Sequence, residues 1–136
     1  MTEMTDVAFA RASERGDITP AQFDHLAHVR VAWVYLHESA SVDEALARMR
    51  GAIRRFAAAA DVPQKYHETI TVLWMRLLAD VKAGGASGEL ADVLQAHPAL
   101  GDKDLPFQYY SRELLLSEPA RAGWVEPDRR PLTPLA

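Results

Sequence analysis

The chain has no cysteine among its 136 residues, which excludes disulfides, thiolate nucleophiles and every zinc or iron–sulfur site built on cysteine. It has no surplus of positive charge either: 15 Lys and Arg stand against 19 Asp and Glu, a formal net charge of −4. Binding to nucleic acid draws on an excess of cations over phosphate, so no nucleic-acid partner is expected. Long apolar runs are also missing. The strongest, Val29 to Leu36, is interrupted by Arg30 and falls far short of the ~20 residues that cross a bilayer. Residues 1–17 mix both charge signs around no apolar stretch of signal-peptide length. The expectation is a cytoplasmic chain with no membrane partner.

Several signatures of catalysis are absent as well. Gly84 to Gly88 follows a helical pattern and lacks the Gly-Lys-Ser/Thr ending of a phosphate loop. Ser111 has no nucleophile-elbow context. His67-Glu68 is followed by Thr71 where the zinc-protease motif H-E-x-x-H needs its second histidine. No apolar–polar alternation is long enough for a strand, and no internal repeat is visible.

What is present is a globular composition, 49% hydrophobic and 25% charged, patterned as helices between breakers. The expected architecture is all-α: one helical domain over 1–136, built as a compact bundle of four to five helices. Residues 1–19 form an arm or short helix (4–15), and residues 118–136 an extended Pro-rich tail. Thr19 as N-cap and Pro20 at the first helical position start a helix over about 20–38. Ser41 and Glu44 form a capping box for a helix over about 42–60. Further helices are expected over about 64–82, 88–96 and 107–117, with Pro119 ending the last. Trp124 and Val125 would anchor the tail, and Arg48, Arg50, Arg54 and Arg55 would form a solvated, ion-paired face.

The helix over 20–38 is apolar around most of its circumference, so its polar residues need an explanation. Asp24, His25, His28 and Tyr35 fall within one arc of about 100°. His67 sits in the apolar stripe of the helix over 64–82, with Thr71 one turn on and Glu68 at its edge. Buried polar groups without partners cost several kcal/mol, and two readings follow. In the functional reading, His25, His28 and His67 converge between facing helices and ligate one transition metal ion, such as zinc, iron, copper, nickel or manganese. His67 and Glu68 would then be the general acid/base groups of a small metalloenzyme. Asp24, Tyr35, Tyr66, Thr71, Tyr109, Tyr110 and Arg112 would orient ligands or line a small-molecule pocket. In the structural reading, the histidines only fix helix register within a non-enzymatic interaction or structural module that can pair as a homodimer. Replacing His28 or His67 by Leu should then leave stability unchanged or raised.

The segments Phe23-Asp24-His25-Leu26-Ala27-His28-Val29-Arg30-Val31-Ala32-Trp33 and Tyr66-His67-Glu68-Thr69-Ile70-Thr71 resemble those of a family of small uncharacterised bacterial proteins, together with Tyr109-Tyr110-Ser111 and Trp124-Val125-Glu126-Pro127-Asp128. The resemblance extends over about residues 20–132. It implies an all-helical fold and carries no activity with it.

Overall fold

The computed structural model describes residues 4–132, and these contain helices and connections but no strand. Eight α-helices follow in order: α1 (Asp6–Glu14), α2 (His25–Glu38), α3 (Val42–Ala59), α4 (Glu68–Ala83), α5 (Leu90–Ala96), α6 (Pro106–Tyr109), α7 (Arg112–Leu115) and α8 (Glu118–Ala122). Short 3₁₀ turns at Pro63–Lys65 and Pro98–Gly101 precede α4 and follow α5. None of these helices is long and apolar enough to cross a membrane.

Helix α2 is the centre of the fold. It packs against α1, α3 and α4 and buries Ala27, Val29 and every residue from Val31 to Leu36, as its nearly all-round apolar sequence requires. Helix α3 follows the capping-box expectation at its start: the Ser41 hydroxyl accepts the Glu44 N–H at 3.1 Å. The return bond goes one residue further back, from the Ala40 N–H to the Glu44 carboxylate. Helix α5 is held by a carboxylate from α1. Buried Asp6 accepts the Leu90 N–H at 2.6 Å and pairs with Arg30, while Glu89 accepts the Asp6 N–H.

Four boundaries differ from expectation, each for a local reason. Thr19 and Pro20 make a turn, in which Thr19 accepts the Gln22 N–H, and α2 begins only where the Asp24 carboxylate accepts the Ala27 N–H. Pro63 nucleates a single 3₁₀ turn, so α4 starts at Glu68 with His67 as its N-cap. The helix expected over 107–117 divides into α6 and α7, because Tyr110 is extended and Ser111 caps a new turn by accepting the Leu114 N–H. Pro119 does not stop a helix but sits in the first turn of α8, where its missing N–H is harmless.

The remaining tail does run extended across the body. Tyr110 donates to the Val125 carbonyl at 2.7 Å, Thr69 donates to the Gly123 carbonyl at 2.7 Å, and Asp128 accepts the Ser111 N–H. Trp124 and Val125 pack on the small cluster of Leu73, Tyr110 and Leu115. The tail residues after Leu132, Pro134 among them, lie outside the described residues.

Candidate functional site

Three helices leave a gap between them. Its α2 wall is His25, His28, Val29 and Ala32, one face at helical spacing. Helix α3 supplies Met49 and Ile53, and α4 supplies Ile70, Thr71, Trp74 and Met75. Lys103, from the loop before α6, completes the lining. The pocket has a volume of about 200 Å³. A dry cavity of ~150 Å³ is enough to hold benzene, so a ring-sized molecule fits.

Both imidazoles on this wall are anchored by one nitrogen. His28 donates Nδ1–H to the Asp24 carbonyl at 2.8 Å, and its ring packs on Phe23 at 4.2 Å. Nε2 is left without a protein partner among the described residues. Burial holds His28 below the usual histidine range, with the Asp24 carbonyl offsetting only part of that effect. The ring is therefore neutral near pH 7, and its free nitrogen is an acceptor. His25 bonds through Nε2 to the Leu100 carbonyl at 3.1 Å and packs on Trp74. A carbonyl only accepts, so Nε2 carries the proton, and Nδ1 has no partner among the described residues. Lys103 is exposed and makes no ion pair among the described residues.

His67 stands apart from this pocket. Its Nδ1 accepts the Ile70 N–H at 3.1 Å, and its Nε2–H donates to the Leu115 carbonyl at 2.7 Å. Both nitrogens are thus used inside the fold, one capping α4 and the other tying α4 to α7. Burial also holds His67 below the usual range. The structure brings His25 and His28 to one pocket and leaves His67 elsewhere, so the three imidazoles do not meet. Among the described residues, no group of three or more His, Asp or Glu side chains is gathered to hold a metal ion.

The other residues singled out in the sequence are dispersed. Asp24 is the N-cap of α2 and does not line the pocket. Thr71 does line it, while its hydroxyl donates to the His67 carbonyl at 2.8 Å. Glu68 is forked by Arg50 and accepts the Tyr66 hydroxyl. Burial alone would raise its pKa, but those hydrogen bonds outweigh burial and hold it below the carboxylate range. A carboxylate with a depressed pKa and both oxygens already bonded is a poor general base.

Tyr35 faces α1 and α3 rather than the pocket. Its hydroxyl donates to Glu14 at 2.7 Å, and the Arg48 guanidinium lies 4.0 Å over its ring. Burial and the Glu14 bond push its pKa up to about 12. Around it, Arg11 pairs with Glu14 and Glu38, and Arg48 with Glu38 at 3.2 Å, tying α1 to α2 and α3. Tyr110 is fully buried beneath the tail. Tyr109 lies under Arg130, and Arg112 is exposed beside Phe107. None of these three reaches the pocket.

Sequence reasoning missed Lys103, Met49, Ile53 and Trp74 as pocket residues. A signal existed for the α2 wall, since His25, His28/Val29 and Ala32 recur at helical spacing. None existed for Lys103, which a loop delivers. Comparison with protein-family models, curated proteins and solved structures finds no match for this chain.

Proposed function

We propose that the chain binds a small, largely apolar molecule in the pocket between α2, α3 and α4, with the neutral His28 ring accepting a hydrogen bond from the ligand's polar end. One observation carries this reading. A pocket with walls of Val29, Ala32, Met49, Ile53, Ile70, Trp74 and Met75 contains two imidazoles, each with one ring nitrogen that the fold leaves unused. Apolar walls with a few polar groups are the usual make-up of a small-molecule site. An imidazole fixed through Nδ1–H, with Nε2 free, is also the arrangement from which a general base works; no reaction is assigned to it.

Titration with toluene and with benzyl alcohol, followed by the ring protons of Trp74 and the imidazole resonances of His28, tests the reading. Both probes should shift these signals saturably, benzyl alcohol more tightly. His28→Leu should weaken benzyl alcohol about fivefold to tenfold, the worth of about one hydrogen bond, and leave toluene little changed. Ala32→Phe, which fills the cavity, should abolish both while the far-ultraviolet circular dichroism stays helical. No response to either probe would reject the pocket. Stoichiometric zinc uptake, lost in His25→Ala and His28→Ala, would replace the organic ligand with a metal.

For His67 a structural role is favoured, because both of its nitrogens already bond within the fold.

A further inference from the structure

A second groove, on a different face, lies between α3, the 3₁₀ turn at Pro63–Lys65 and α8. It is lined by Arg54, Pro63, Gln64, Tyr66, Arg121 and Ala122 and has a volume of about 420 Å³. In a chain of net charge −4, two guanidiniums share this one hollow. Among the described residues neither makes an ion pair, unlike Arg48 and Arg50 on the same helix as Arg54.

Each guanidinium is nevertheless oriented. Arg54 lies 4.5 Å over the Tyr66 ring, a stacking that uses its face and leaves its N–H edge open. Arg121 directs Nη1 at the carbonyls of Gln64, Lys65 and Tyr66, at 3.3, 3.4 and 3.5 Å. These contacts cover the acceptors that would repel an anion, and they leave its other donors unused. Glu68, the carboxylate whose charge Arg54 feels, is already neutralised by Arg50. Two planar forks beside an uncompensated hollow match the oxygens of a phosphate group.

We propose that this groove binds the phosphate group of a small phosphate monoester, held between Arg54 and Arg121, with the organic part in the remaining volume. This site is independent of the pocket at α2.

Titration of the whole chain with phenyl phosphate and with inorganic phosphate, at constant ionic strength and followed by amide and Arg Nε resonances, tests it. Both should bind saturably and compete for the same residues, phenyl phosphate the tighter. Inorganic phosphate binding as tightly would make the free ion the ligand and overturn the ester assignment. Arg54→Gln and Arg121→Gln should each weaken binding about tenfold, as expected for loss of one charge-assisted contact. Because Arg121 also holds the 64–66 turn, Arg54→Gln is the deciding variant; Arg54 is exposed and makes no hydrogen bond to the rest of the chain among the described residues. Ala32→Phe should leave phosphate binding intact. An equal response to acetate, or unchanged binding in Arg54→Gln, would overturn the site.

Discussion

At the scale of single residues, the decisive contrast is between His28 and His67. Both rings are buried enough to stay neutral, yet one has a spare nitrogen in a pocket and the other has none. That contrast changes what apolar replacement should do. Exchanging both partners of a buried polar pair for apolar groups can be neutral, but removing one partner strands the other. His67→Leu would strand the Ile70 N–H and the Leu115 carbonyl together. The expectation drawn from sequence, that this change is harmless, therefore reverses. A loss of about 2–3 kcal/mol is expected, combining a helix cap with a buried hydrogen bond. Urea unfolding of the two leucine variants checks it: His67→Leu should fall well below the parent, while His28→Leu, which loses one bond within its own first turn, should fall much less.

At the scale of elements, legibility in the sequence depended on where the ordering forces lie. Helix α3 was readable because its cap and its apolar stripe are both local: Ser41 precedes Val42, Leu46, Met49 and Ile53 at the required spacing. Ser41→Ala should consequently cost about 1 kcal/mol, measurable as a lower urea midpoint with an unchanged slope. The starts of α2 and α4 lie later than the sequence pattern implies, because Asp24 and His67 read as polar residues on helix faces when they are N-caps. Their side chains bond main-chain N–H groups three residues on, which is capping, and histidine is an uncommon cap. The break at Tyr110 and Ser111 was unreadable for another reason. It is fixed by the tail, through the Val125 carbonyl and the Asp128 carboxylate, and no local pattern reports a partner 15 or 17 residues away. The pocket was half legible on the same grounds: its α2 wall is periodic, whereas the facing residues and Lys103 depend on how the helices pack.

At the scale of the whole molecule, the histidines and glutamates whose pKa values are lowered act on stability in one direction, opposed in acid by Asp80, whose carboxyl is pushed up by burial. His28 and His67 titrate below their ordinary value of 6.5 in the fold, chiefly through burial. Below pH 6.5 the unfolded chain therefore binds protons that the folded chain refuses, and stability falls with acidification from that point. Glu14, Glu38 and Glu68 are held below 4.5. For Glu14 and Glu68, burial pushes upward and is outweighed by hydrogen bonds from Tyr35 and Arg11, or from Arg50 and Tyr66; for Glu38, the Arg11 bond is the leading cause. Their contribution is complete above pH 4.5 and disappears as pH drops through their folded values. These two sets succeed each other without opposing, so stability should be highest between about pH 7 and the range near 10 where unfolded tyrosines ionise, decline in a first limb below about pH 6.5 and in a steeper second limb below about pH 4.5. Urea midpoints at pH 7.5, 5.5 and 4 would trace both limbs. Substituting Gln for His28 and Leu for His67 should flatten the first limb and spare the second, since the carboxylate pairs lie elsewhere. A midpoint that rises between pH 7.5 and 5.5 would mean that the folded chain takes up protons there, and that the two rings are not held neutral by the packing of α2 and α4.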